Sequence, residues 1–388
     1  MEKKDKNLNV PNLRFPEFSG EWDMKRLGNL VEIRSGVSPS GAIDEEGAYP
    51  FYKVEQLNNC YLELGETPYS TRNPAIPANS IIFPKRGAAI MTNKVRLTSY
   101  PCQLDTNLMA LSIKNNEETD YKFLFYFIER CNLSKIADTS TIPQINNIHI
   151  NPLRISIPLI REQKKISALL MELDQRIETQ RKIIEDLKKL KDAITHFHFR
   201  NELTHSPMTY IGQYITQVSR RNKDTKIDRV LSVSNKYGFV DQDEQFEDRV
   251  VASIDTSNYK VVQKGDFAYN PARINVGSVA ILQEFENGIV SPMYVCFTTN
   301  KELLPAYFEL YLSTNIFKHE MYKRLEGSVR LCLTYESLCN IKIALPEFSV
   351  QTDLASKVSA LLTKIKNEER LLCLYHKFKQ YLLTQMFI

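Results

Sequence analysis

The sequence predicts an α+β fold built twice. Two similar globular units of mixed short strands and helices are separated by two long helices, which pair as an antiparallel coiled coil with a pseudo-two-fold internal repeat. Three observations predict it: a strand-and-proline motif that recurs far along the chain, a coiled-coil stripe after each copy, and short β-like runs in the stretches before them.

The motif is Leu153-Arg154-Ile155-Ser156-Ile157-Pro158, which returns 188 residues later as Ile341-Lys342-Ile343-Ala344-Leu345-Pro346. Alternating apolar and polar residues describe a half-buried strand. The proline ends it and opens a helix. The offset persists beyond the proline, so that Gln163 matches Gln351 and Ile166 matches Leu354.

Each copy then carries an apolar stripe at alternating spacings of four and three, the coiled-coil pattern. The first stripe is Ile166, Leu170, Leu173, Ile177, Gln180, Ile184, Leu187, Lys191, Ile194, and the second is Leu354, Val358, Leu361, Ile365, Glu368, Leu372, Tyr375, Lys379, Leu382. Both turn polar at the same two places, Gln180/Glu368 and Lys191/Lys379. No proline or glycine interrupts 161–194 or 349–388.

The repeat also runs upstream. Phe123-Leu124 with Phe127-Ile128 matches Tyr307-Phe308 with Tyr311-Leu312, Leu27-Gly28 matches Ile211-Gly212, and 79–83 resembles 265–269. The loops that follow diverge, Pro84-Lys85-Arg86-Gly87 against Asn270-Pro271-Ala272-Arg273. Expected strands lie at Ser80–Phe83, Leu108–Ile113, Arg229–Val233, Gly277–Leu282 and Tyr294–Phe297, and short helices at Tyr121–Arg130 and Pro305–Phe317. The expected layout is a first unit at 11–158, a first long helix at 159–200, a second unit at 205–346 and a second long helix at 347–388.

Composition limits the function. The chain has 388 residues, 43% hydrophobic and 25% charged, with a formal net charge of +4. This is ordinary for a folded protein and permits a nucleic-acid partner without demanding one. No apolar run approaches the roughly 18 residues of a membrane span. Met1–Val10 lacks a secretory core, so a cytoplasmic, membrane-free protein is expected. The seven cysteines are scattered without a CxxC pair, which reads as reduced core thiols and no metal site.

Helices with about 30 core-forming residues span about 45 Å. With units at opposite ends, such a spacer suits two recognition modules on a split DNA target, since one helical turn is about 34 Å. A coiled-coil adaptor that never touches DNA is the competing reading.

Three stretches carry a resemblance. They are Pro11-Asn12-Leu13-Arg14-Phe15-Pro16-Glu17-Phe18 with Gly20-Glu21-Trp22; Pro143-Gln144-Ile145-Asn146 with Ile157-Pro158-Leu159 and Glu162-Gln163-Lys164-Lys165-Ile166; and Ser291-Pro292-Met293-Tyr294, read as a strand. In these, and in the order of its segments over residues 11–388, the chain resembles the specificity subunits of type I restriction–modification systems. The resemblance implies two target-recognition domains, each reading one half of a bipartite double-stranded DNA site, and helices that set the gap and dock two methyltransferase subunits. Restriction and translocation subunits can join. The methyl donor, ATP and magnesium would then belong to those partners, with no cofactor in this chain. The second junction departs from the pattern, reading Phe348-Ser349-Val350-Gln351-Thr352-Asp353, which points to unequal docking surfaces.

Catalytic patterns are missing. Asn270-Pro271-Ala272-Arg273 lacks the second proline and the aromatic of an adenine-methyltransferase site, and there is no phosphate loop, GxSxG or HExxH. An enzyme with an unrecognised site is thus the weakest alternative. His196, His198 and His205 read as a solvated helix end.

Arg and Lys contact phosphates, and Arg, Lys, Asn and Gln read base edges. In the first unit the candidates are Arg34 and Ser35, Lys85 and Arg86, Asn93, Lys94 and Arg96, and Gln144. In the second they are Arg220, Arg221 and Lys223, Arg273 and Asn275, and Arg330. Each cluster is alternatively a solvated loop, and Gln144 and Asn146 either read bases or cap the next element. The coiled-coil interface is expected from Ile166, Leu170, Leu173, Ile177, Ile184 and Leu187 on one helix and Leu354, Val358, Leu361, Ile365, Leu372 and Tyr375 on the other.

Overall fold

Proline closes both strands that lead into the long helices, and the same local geometry follows twice. The computed structural model describes residues 9–58, 61–62, 65, 67–242, 255–327 and 330–388. The strands used below are β1 (Asp23–Arg26), β2 (Val31–Ser35), β3 (Ile81–Pro84), β4 (Leu108–Ile113), β5 (Arg154–Ile157), β6 (Met208–Tyr210), β7 (Ile215–Val218), β8 (Leu231–Ser234), β9 (Gly238–Asp241), β10 (Phe267–Tyr269), β11 (Val279–Ile281), β12 (Asn287–Val290), β13 (Val295–Thr299) and β14 (Lys342–Ala344). The helices are α1 (Tyr121–Cys131), α2 (Ile160–His205), α3 (Pro305–Ser313), α4 (Asn315–Tyr322) and α5 (Phe348–Gln385). The chain divides into two compact units, Met1–Lys182 with Glu369–Ile388, and Ile183–Glu368.

In the first unit β2, β4 and β3 run antiparallel in that order, extended by Arg96–Thr98 and Tyr61–Leu62. β4 is apolar along almost its whole length because its alternate residues serve two cores. Met109 and Leu111 join the large core with α1, while Leu108 and Ala110 join a smaller one with Tyr52, Leu57 and Leu104. The Asp120 carboxylate caps α1 by accepting from Phe123 N at 2.8 Å. Phe123 of α1 meets Trp22 and stacks on Phe387, ring centroids 4.9 Å apart. Ile166, Leu170, Leu173 and Ile177 of early α2 share this core with Leu382, Leu383 and Met386 of late α5 and the residue just beyond it. The two helices therefore meet here start against end, in antiparallel fashion.

The second unit repeats the plan. β7, β13, β10 and β11 form an antiparallel sheet in that order, with Phe267 opposite Phe297 and the two rings stacked at 5.0 Å. β8 and β9 form a separate hairpin. Phe199 of late α2 packs on Tyr307 of α3 at 4.8 Å, and Leu354 and Val358 of early α5 complete the core. Again the end of one long helix lies with the start of the other.

The junction explains the matched glutamines. β1 pairs with β5 and β6 with β14, both antiparallel. Buried Gln163 accepts from Asp120 N (2.9 Å) and donates to the carbonyls of Glu118 (2.9 Å) and Pro158 (2.8 Å). Buried Gln351 accepts from Leu304 N (2.9 Å) and donates to Glu302 (2.9 Å) and Pro346 (3.0 Å). One amide thus ties the strand exit, the long helix and the start of the short helix together. The matched glycines are tight spots. A Cβ on Gly28 would lie 2.4 Å from Asn151 Oδ1, and one on Gly212 would lie 2.7 Å from Cys339 Cβ.

Four expectations are corrected. Pro305–Phe317 is two helices, because Thr314 is extended and its hydroxyl caps α4 by accepting from Phe317 N at 3.2 Å. Ser291–Tyr294 is a turn between β12 and β13, closed by Tyr294 N to Ser291 O at 3.1 Å, with Pro292 unable to donate to a ladder. Cys373 is exposed on α5 rather than in the core; Cys60 lies outside the described residues. Leu187, Leu361, Leu372 and Tyr375 are only half-buried, whereas Ile166, Leu170, Leu173, Ile177, Ile184, Leu354, Val358 and Ile365 are buried.

Candidate nucleic-acid interface

In each unit a loop is pinned to the strand that leaves the middle of the sheet. Gln144 pairs with Asp138 through two backbone bonds of 2.9 Å, which closes loop 138–144 on itself. Ile145 N donates to Lys85 O at 2.8 Å and Gly87 N to Pro143 O at 2.8 Å, while the Ile145 side chain is fully buried. Lys85, Arg86 and Gln144 are thereby brought together at the exit of β3. The second unit closes 326–332 through Glu326 and Cys332 (2.9 and 2.8 Å), and Leu333 N donates to Pro271 O at 3.1 Å beyond β10. Leu333 is buried as Ile145 is. The pairs Asp138/Glu326, Gln144/Cys332 and Ile145/Leu333 all keep the 188-residue offset. Exposed Arg273 follows β10, and exposed Arg330 sits in the pinned loop. Asn275 is half-buried, and its carbonyl accepts from Tyr322 Oη at 3.4 Å.

Electrostatics differ within the clusters. Burial, and then neighbouring Arg86, hold the Lys85 ammonium below its ordinary pKa. Arg86 is exposed and is the freer cation for a phosphate or base edge. Backbone and side-chain hydrogen bonds from Ser140 hold the Asp138 carboxyl below its usual range.

The other candidates stand apart from these exits. Arg34, on β2, donates to Glu32 Oε2 (2.8 Å) and the Ala75 carbonyl; Ser35 ends the strand exposed. The left-handed Asn93 (φ 46°) donates to Glu129 O at 2.8 Å and accepts from Leu133 N at 2.9 Å, so its amide holds a loop on α1. Lys94 is half-buried, and Arg96 donates to Val95 O at 2.7 Å. Arg220 bonds Gln263 Oε1 (2.8 Å) and pairs with Asp266, Arg221 bonds the Asn258 carbonyl, and Lys223 is exposed in a turn. Asn146 opens the helical turn Asn147–Ile150, its N–H donating to His149 Nδ1 at 2.9 Å.

His198 is half-buried rather than solvated, with Nε2 3.2 Å from Tyr307 Oη. Among the described residues no three His, Cys, Asp or Glu side chains are grouped to hold a metal ion, and no helix is long and apolar enough to cross a membrane. Sequence reasoning missed the turns 235–237 and 291–294, which reach the exit of β10 in the second unit. The only signal was Ser291–Tyr294, read as a strand.

Comparison with known proteins agrees with the repeated plan. Residues 19–189 match the family described as the type I restriction modification DNA specificity domain. The type I restriction enzyme MjaVIII specificity subunit of Methanocaldococcus jannaschii is 23% identical, across 95% of this chain and 92% of that protein. Residues 19–189 thus carry that specificity domain, and the chain as a whole is similar to type I restriction enzyme specificity subunits. The MjaIX specificity subunit of the same organism is 28% identical over 44% of this chain and 42% of its own length. The crystal structure of a type I restriction–modification S subunit from M. genitalium shares the fold, with a TM-score of 0.60, 18% identity, and coverage of 98% of this chain and 99% of that one.

Proposed function

We propose that this chain is the sequence-specific DNA-binding specificity subunit of a type I restriction–modification complex, reading a bipartite target with one unit per half-site and docking methyltransferase subunits. The observation that carries this reading is the pinned loop built twice at the same offset, each time beside an exposed arginine, Arg86 or Arg273. Duplicate presentation of polar and cationic side chains from loops on a rigid sheet is the chemistry of base-edge reading.

Partner docking rests on the long helices. Ile183, Leu190 and Phe197 form an exposed row at heptad spacing on α2, and Leu374, Phe378 and Tyr381 form an exposed apolar row on α5. Such second rows suit additional helices from another chain. In this reading the chain itself is non-catalytic and acts in the cytoplasm. The methyl donor, ATP and magnesium belong to the methyltransferase and the restriction and translocation partners.

The test is a methylation map of DNA from cells producing this chain with a methyltransferase partner. A split motif with a fixed gap, present only with this chain, is expected. An assembled complex that writes no new motif would leave the chain as a coiled-coil adaptor. Arg86→Ala should weaken or blur one half-site by about 1–3 kcal/mol if it reads a base, seen as loss of methylation at that half alone.

A further inference from the structure

Two turns of the second unit and the end of α4 converge beside the cationic exit of β10, and they carry large apolar side chains in water. The Asn270 amide reaches Met293 Sδ at 3.7 Å, which brings the 291–294 turn to this exit. A Cβ built on Gly277 lies 3.5 Å from Asn235 Cβ, which brings in the β8–β9 turn. Tyr322 Oη donates to the Asn275 carbonyl. The exposed residues are Tyr237 (67%), Met293 (61%), Tyr322 (55%) and Val276 (53%). Arg273 is exposed among them, and Lys236 lies over the Tyr237 ring at 4.9 Å.

Isolated exposed apolar residues need no explanation, but four around a cationic exit do. Arginine and lysine favour a polyanion, which disfavours a purely apolar protein partner. The large apolar feature that DNA offers a reader in the major groove is the C5-methyl group of thymine. We infer that this patch reads thymine methyl groups, with Met293 and Val276 in contact with the methyls and Arg273 on the adjoining phosphate or guanine. The inference rests on the DNA-reading function proposed above and adds a base identity to it: the half-site read by the second unit contains at least one T·A pair recognised through its methyl.

The experiment uses the chain assembled with its methyltransferase partner and duplexes carrying the mapped target. Each thymine in both halves is replaced singly by deoxyuridine, which removes the methyl and leaves base pairing intact. At one or more positions in a single half, binding should weaken roughly three- to tenfold, the scale of one buried methyl. Met293→Ala and Val276→Ser should bind thymine and deoxyuridine duplexes equally at those positions, while the other half-site is read as before. Equal binding of all deoxyuridine duplexes by the parent complex would overturn the inference. So would a half-site without thymine, or methyl sensitivity that survives both substitutions. Failure of the underlying reading looks different: the parent complex would then show no preference for any split sequence.

Discussion

The first unit obtains by docking what the second obtains by chain continuity. In the second unit α2 ends at His205 and the chain passes almost at once into β6. In the first unit, residues 9–22 are laid against the end of α5 and the β1–β5 pair. Leu13 N donates to Gln385 O at 2.9 Å, and Asn9 is bonded to Trp22 and to the Ser156 hydroxyl. Arg14 forks onto the Glu162 carboxylate, with both bonds at 2.8 Å. Val350 occupies the place of Glu162 in the second unit. The same polar break in the stripe also has two fates. Lys379 is buried between Glu129 (2.8 Å) and Asp174 (2.7 Å), whose carboxylate also accepts from Tyr126 Oη. Its counterpart Lys191 is half-exposed and pairs with its neighbour Asp192. A unit held by non-covalent docking carries the additional part-buried ion pairs, which specify the register in which α5 meets it.

The largest test of this contrast replaces matched leucines. Leu173→Asp places a charge in the first core and should cost on the order of 4 kcal/mol or more. Leu361→Asp, on a half-buried site, should cost less than half as much in urea denaturation. Equal losses would mean that the two helix contacts are equally deep.

Next in size is the buried lysine. Lys379→Met leaves two half-buried carboxylates without that cation and should cost about 3 kcal/mol, against about 0–1 for Lys191→Met. Burial raises the Glu129 pKa from its ordinary 4.5, and Lys379 opposes that rise. In Lys379→Met the native state therefore holds a proton that the unfolded chain has released. Stability should fall as pH rises above 4.5, more steeply than in the parent. A flat difference between the two proteins across that range would show that Glu129 is solvated.

Gln163→Ala and Gln351→Ala probe what the units share. Each strips three backbone partners and should cost about 2–4 kcal/mol, with similar shifts in denaturation midpoint. A large inequality would break the equivalence of the junctions. The smallest expected effect is Arg14→Ala, about 1–3 kcal/mol from uncovering buried Glu162. Limited proteolysis should then cut first within 9–22, while the second unit stays protected.

How far the fold could be read in advance follows from these particulars. The junctions were legible because Gln163 and Gln351 keep a fixed distance from a strand and a proline, and a helical stripe repeats the offset. The break at Thr314 was not, since a threonine between apolar residues fits a helix interior as well as a cap. The partners of Lys379 were hidden for another reason. Its place in the stripe was visible, but Glu129 lies on a different helix 250 residues away, and no periodicity links them. Among the candidate contacts, glycine and arginine clusters marked the exits of β3 and β10. They also marked Arg34 and Arg220, whose guanidinium groups are bonded within their own units. The turns at β10 were missed because Tyr237 and Met293 are apolar and lie far in sequence from Arg273.

The pinning of these two loops has a consequence for how such a protein can change. Each loop is fastened by main-chain bonds and one buried aliphatic side chain, Ile145 or Leu333. Main-chain bonds are indifferent to the side chains that bear them. Exposed positions such as Arg86 and Arg330 can therefore be rewritten while the socket and the sheet beneath it stay as they are. In the DNA-reading function proposed above, such a molecule acquires a new target by substitution at a handful of surface positions, at little risk to its own folding.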